Sequence, residues 1–115
     1  MIKFACKNFK IDDVIKCSLS LNKTDYKIFK YFFDQNDDWV NAEDLSSHLN
    51  LHISACQRSL KKLTDKDVLF RKQLNLKNGG YVFIYKIKSL DYLRNLIFDI
   101  VSKWTKMVES ELLKW

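Results

Sequence analysis

Arginine and lysine side chains gather between residues 51 and 88: Arg58, Lys61, Lys62, Lys66, Arg71, Lys72, Lys77, Lys86 and Lys88. Only Asp65 and Asp67 oppose them, so this stretch carries +7 while the whole chain of 115 residues carries +6. The cationic charge is a local patch, and the chemistry it offers is the neutralisation of phosphates. Within the patch, residue types divide by what they can read. Arg58 can donate two parallel hydrogen bonds to a guanine edge, and Gln57 can serve an adenine edge in the same way. Lys61 and Lys62 suit phosphate, which fixes register without reading sequence. Ser54 can reach a phosphate or a base edge. Arg71, Lys72, Lys77 and Asn78 form a second cluster suited to the DNA backbone or the minor groove. The plain alternative for each is a solvated basic surface, with lysines keeping an exposed edge soluble.

Other chemistries find less support. His48, His52 and Cys56 stand four residues apart in turn, but a turn at residues 50–52 separates them from a single helical face, and no second ligand pair accompanies them. No metal is expected, and Cys56 reads as a small core residue. Cys6 and Cys17 match no zinc spacing. Three cysteines and no secretory leader argue against a disulfide framework, which leaves burial or thiol sensing for the other two. There is no phosphate-cradling glycine loop and no nucleophile with base and orienter, so neither an enzyme nor a cofactor is expected. No apolar run approaches the roughly 18 residues of a membrane span. The expectation is a cytoplasmic protein with no membrane partner.

The elements that must position these residues can be read from spacing. Residues 1–20 form an extension in which Ile11–Cys17 can be a short helix, with Asp12 and Asp13 at its start. Asn22 is an N-cap with Asp25 three residues on, and Tyr26, Phe29, Phe32 and Phe33 lay an apolar stripe along a helix over 23–35. Residues 34–38 end it in a polar turn. Asn41 caps a second helix carrying Ala42, Leu45 and Leu49 on one face. After a turn at 50–52, Ile53, Cys56, Leu60 and Leu63 mark the inward face of a third helix. Its outward face holds Ser54, Ala55, Gln57, Arg58, Lys61 and Lys62. Residues 41–66 thus have the pattern of a helix-turn-helix. Two strand-like runs follow, Val68–Leu76 and Tyr81–Lys88. Asn78-Gly79-Gly80 lies between them, where Asn-Gly supplies the positive φ of a hairpin turn. A helix-turn-helix followed by a hairpin is a winged helix.

Ser89 caps the last element. Leu90, Leu93, Ile97, Ile100, Trp104 and Met107 step by three and four in a heptad-like seam, widened by Leu96, Val101, Val108, Leu112 and Trp115. About 26 helical residues make a rod of about 39 Å. So long an apolar stripe is most simply covered by a second copy of the chain. Leu93, Ile97, Ile100, Trp104 and Met107 are the expected dimer interface. Tyr92, Phe98, Trp104 and Trp115 read as dimer core rather than an effector pocket, and the sequence names no effector.

Leu21-x-x-x-Asp25-Tyr26, Ala42-x-x-Leu45, Cys56-Gln57-Arg58-Ser59-Leu60-Lys61-Lys62-Leu63 and Gly79-Gly80-Tyr81-Val82-Phe83-Ile84-Tyr85 together resemble small archaeal winged-helix transcription regulators. These are the TrmB-like proteins, with a looser likeness to MarR-type regulators. The likeness covers about residues 17–110. It implies that Gln57-Arg58-Ser59-Leu60 lies in a recognition helix, that the strand after Gly79-Gly80 is the wing, and that Lys103-Trp104 lies in a dimer helix. The chain departs from the pattern at His52-Ile53-Ser54-Ala55 and carries no large C-terminal sugar-binding domain.

The fold expected is mainly α with one β-hairpin. Residues 1–88 form the winged-helix domain, with its wing at 68–88, and residues 89–115 form a dimerisation helix. The function expected is sequence-specific binding of double-stranded DNA by a homodimer that regulates transcription. The recognition helices would sit about 34–36 Å apart on an inverted repeat. The competing reading is a protein-interaction module that uses the basic patch on an acidic partner. The polar, basic outward face of residues 53–62 favours nucleic acid.

Overall fold

The computed structural model describes residues 1–35 and 38–115. Asn36 and Asp37, in the middle of the expected polar turn, lie outside the described residues. The described elements are, in order, β1 (Ile2–Phe4), β2 (Lys7–Phe9), α1 (Ile11–Leu19), α2 (Lys23–Gln35), β3 (Val40–Asn41), α3 (Ala42–Leu49), α4 (Ile53–Asp65), β4 (Leu69–Asn75), β5 (Tyr81–Ile87) and α5 (Leu90–Leu112). The fold is a mostly helical winged helix with a small sheet and a long C-terminal helix. It divides into two compact units, Asn22–Lys88 and Met1–Leu21 with Ser89–Trp115.

In the unit Asn22–Lys88, α2 starts on a reciprocal cap. Asn22 Oδ1 accepts from the Asp25 backbone N–H at 2.8 Å, and Asp25 Oδ2 accepts from the Asn22 N–H at 3.0 Å. Two otherwise orphaned donors are satisfied at once. The buried face of α2 is Asp25, Ile28, Phe29 and Phe32, a three-four repeat. Phe33, placed on the apolar stripe by the sequence reading, is exposed beside Phe29, and Ile28 takes its place.

Asn41 caps α3 by accepting from the Asp44 N–H at 2.8 Å. The turn into α4 is closed by Asn50 in the left-handed region (φ 52°), with the Leu51 N–H donating to the Ser46 carbonyl at 3.1 Å. Asparagine tolerates that conformation better than most residues with a β-carbon. α4 then buries Cys56, Ser59, Leu60 and Leu63, whereas Ile53, expected on the inward face, stands exposed at its first turn.

The sheet has the order β3-β5-β4 and is antiparallel throughout. Register sets Leu69, Arg71, Gln73 and Asn75 of β4 opposite Ile87, Tyr85, Phe83 and Tyr81 of β5, and Val40 of β3 opposite Tyr85. Because successive strand residues face opposite ways, these lie on one side of the sheet. Leu69, Val40 and Tyr85 on that side are buried, which makes it the inner side. β3 has only two residues and was not foreseen. The hairpin loop is Leu76–Gly80, and the Leu76 N–H donates to the Gly80 carbonyl at 3.0 Å. The left-handed residues there are Gly79 (φ 90°) and Gly80 (φ 79°), so the glycine pair turns the chain rather than Asn78 with Gly79.

In the other unit, β1 and β2 pair through the two residues Ala5 and Cys6, with Ala5 left-handed at φ 47°. No sequence signal announced this hairpin. α1 ends at Ser20, also left-handed, with the Leu21 N–H donating to the Lys16 carbonyl at 2.8 Å. Ser89 caps α5 by accepting from the Tyr92 N–H at 3.2 Å. Leu19, Leu21 and Leu93 are buried, while α5 from residue 101 onward is exposed along its length. Its 23 residues give a rod of about 35 Å. Among the described residues, no helix is long and apolar enough to cross a membrane.

Candidate nucleic-acid interface

α4 is the second helix of the helix-turn-helix, and its capping fixes where its side chains point. His52 is the N-cap, with its Nδ1 accepting from the Ser54 N–H at 3.2 Å and lying 2.7 Å from Ser54 Oγ. Ser54 is therefore half-buried and engaged with its own cap. At 3.6 residues per turn, Ser54, Gln57, Arg58 and Lys61 fall within an arc of about 100°. Gln57, Arg58 and Lys61 are exposed there, opposite the buried Cys56, Leu60 and Leu63. Asp65 closes the C-terminal end of the same arc with a negative charge. The electropositive part of the face is thus the stretch before Asp65, at Arg58 and Lys61.

Lys62 is placed differently from Lys61. Its Nζ donates to Asp25 Oδ2 at 2.7 Å, and its side chain is half-buried. Asp25 also accepts from Ser59 Oγ at 2.6 Å through its other oxygen. One buried carboxylate of α2 therefore holds two successive turns of α4 and caps its own helix. Burial pushes the Asp25 carboxyl up, but hydrogen bonds from Lys62, Ser59 and the Asn22 N–H, with the Lys62 charge, outweigh it and leave the group below the ordinary carboxylate value. Sequence reading saw Asp25 as a cap and Ser59 only within the recognition-helix segment, and assigned neither to a contact between the two helices. The available signal was a serine and a lysine three apart at the edge of the apolar stripe of α4.

The wing separates residues that adjoin in sequence. Arg71 lies on the inner side, its guanidinium over the Phe83 ring at 4.7 Å from the centroid. It stands opposite Tyr85, whose hydroxyl lies above its ordinary value because burial pushes it up more than Arg71 pulls it down. Lys72 faces the other way, opposite Ile84. The two cannot serve one surface. Lys77 and Asn78 are exposed in the loop at the hairpin tip. The outer side of the sheet carries a group the sequence reading did not assemble: Trp39, Phe70, Leu74, Val82, Ile84 and Lys86. Its signal was the two-residue period, which puts Phe70, Lys72 and Leu74 of β4 with Val82, Ile84 and Lys86 of β5 on the side opposite Tyr81, Phe83 and Tyr85.

Of the residues expected to cover a dimer seam, Leu93 is buried in the single chain at 7% exposure, and Ile97 and Ile100 are half-buried. Trp104 and Met107 are 56% and 60% exposed. With Val108, Leu112 and Trp115 they line an open groove on α5. His48 packs edge-on against Tyr31. Among the described residues, no group of three or more His, Cys, Asp or Glu gathers to hold a metal ion. Cys56 is buried and its thiol is pushed up by that burial, whereas Cys6 and Cys17 are exposed.

A family profile described as the DnaD N-terminal domain matches residues 9–108. A solved structure from Methanosarcina mazei Go1, described as a "possible transcriptional regulator", is 49% identical with a TM-score of 0.94, covering 100% of this chain and 96% of that one. An uncharacterised protein of Methanocaldococcus jannaschii is 23% identical over 100% of this chain and 83% of its own length. A mutant of MepR from S. aureus, solved bound to an oligodeoxyribonucleotide, shares the fold at 12% identity and a TM-score of 0.57, covering 91% of this chain and 73% of that one.

Proposed function

The chain belongs to the DnaD N-terminal domain family, and from that premise we propose that it is a winged-helix transcription regulator that binds double-stranded DNA as a homodimer. The observation that carries this reading is the outward arc of α4. Gln57, Arg58 and Lys61 stand exposed on the second helix of a helix-turn-helix whose opposite face is fully buried. Support also comes from the 49% identity to a chain described as a "possible transcriptional regulator" and from a neighbour of the same fold solved on DNA. Likeness to the TrmB-like regulators in the recognition helix and wing belongs to the same reading.

Residues 22–88 read the duplex. Gln57 and Arg58 meet base edges in the major groove, Ser54 and Lys61 meet phosphate or a nearby edge, and Lys77 and Asn78 reach the backbone or minor groove from the wing tip. Arg71 and Lys62 act from behind: Arg71 braces the wing and Lys62 fixes α4. Residues 89–115 join two copies through Ile97, Ile100, Trp104 and Met107, so the operator is an inverted repeat. The test is a titration of labelled duplex at two salt concentrations, with light scattering in the same buffer. Binding that weakens steeply with salt, by a particle of twice the chain mass, is expected. No duplex binding at low salt would overturn the reading.

A further inference from the structure

The outer side of the three-stranded sheet has a composition unlike the rest of the wing. Continuing the register Val40↔Tyr85 by one residue sets Trp39 opposite Lys86, and Phe70 pairs Lys86 from the other side. Strands lie about 4.8 Å apart, so two rings flank one lysine in a row about 10 Å wide. Trp39 is 41% and Phe70 50% exposed. Each ring has an ammonium over it: Lys86 Nζ lies 5.9 Å from the Trp39 centroid and Lys88 Nζ 5.2 Å from that of Phe70. The next row, about 7 Å along the strands, is Asn41, Ile84 and Lys72. Lys88 is mostly buried and lies 3.8 Å from the Asp67 carboxylate.

We propose that this face binds an unpaired stretch of nucleic acid, with Trp39 and Phe70 stacking on bases while Lys72 and Lys86 meet the phosphates. A sequence-tolerant single-strand site needs exposed rings alternating with cations, because every base offers a ring and every nucleotide a charge. A protein-docking patch is built the opposite way, with lysine depleted at its centre. Here Lys86 is the centre of the row. The site is separate from the outward arc of α4, and it does not depend on that arc reading a duplex.

The probe is a labelled oligothymidylate of about 12 nucleotides, within the span of known single-strand sites, titrated with the full chain at low salt and followed by anisotropy. Binding is expected. Trp39→Ala and Phe70→Ala should each weaken it by about tenfold or more, the loss of one stacked base, and leave duplex affinity unaltered. Lys72→Glu with Lys86→Glu, which spares both rings, should weaken it too, with circular dichroism confirming the fold. In a Trp104→Phe, Trp115→Phe background, Trp39 emission should be quenched by the oligonucleotide. No oligothymidylate binding, binding indifferent to the ring variants, or a Trp39 response to an oligoglutamate peptide and not to DNA would each overturn the proposal. Loss of duplex binding alone would overturn the reading of α4 and leave this one standing.

Discussion

At Asp25 burial and hydrogen bonding pull the carboxyl in opposite directions, and the bonds win. Its folded value lies below the ordinary carboxylate value of about 3.9. The stability it contributes is therefore complete above that value and lost as pH falls through the depressed one. Asp25→Asn should cost about 2 kcal/mol at neutral pH, since three hydrogen bonds to a charged group are weakened or lost. Urea unfolding should show the deficit shrinking as pH falls through the depressed value, where wild-type Asp25 itself takes up a proton. A deficit independent of pH would mean that the charge contributes nothing. Thiols offer a second check at this scale. Exposed Cys6 and Cys17 should react with a thiol reagent in the native protein, and Cys56 only after denaturation, because its site is closed and its thiolate disfavoured. On α4, Lys61→Ala should weaken binding to cognate and random duplex alike. Arg58→Ala should in addition lose about 1–3 kcal/mol of discrimination at one base position, and equal losses on both DNAs would remove its base-reading role.

Among the elements, those with strong local signals were legible and those made by tertiary pairing were not. α2 runs Lys23–Gln35, as the Asn22 cap and the apolar spacing predict, and Asn41 and Ser89 cap their helices. β3 escaped because two residues carry no period, and it exists only through its pairing with β5. The β1–β2 hairpin turns through left-handed Ala5, with no glycine or asparagine to mark it. The candidate interface was half legible. Helical spacing singled out Gln57, Arg58 and Lys61, but Lys62 sits at the border of the arc, where only the partner helix decides which way it turns. Arg71 and Lys72 were grouped by adjacency, which the two-residue period of a strand forbids. The wing loop gives a test of its own. Gly79→Ala should destabilise the protein by about 1–2 kcal/mol through backbone strain alone, because an added β-carbon meets nothing within 4 Å. Thermal unfolding of that variant checks it, and an unchanged midpoint would show the loop able to reshape at no cost.

For the whole molecule, the apolar length of α5 is the outstanding demand. Trp104, Met107, Val108 and Leu112 are all substantially exposed in the single chain, in a line too long to count as scattered surface residues. Trp104→Asp should halve the particle mass seen by light scattering, and duplex affinity should fall with it, because each protomer then binds one half-site alone. Retention of the wild-type mass would place the contact elsewhere. In the proposed dimer, cover for that stripe arrives only by encounter between two chains, which makes it a matter of mass action. The temperature of unfolding should then climb with protein concentration. Occupancy of an operator should follow the square of the amount of free chain when the chain is scarce, so a cell that halves its supply would lose well over half of the bound regulator. The exposed helix, in those terms, sets a threshold.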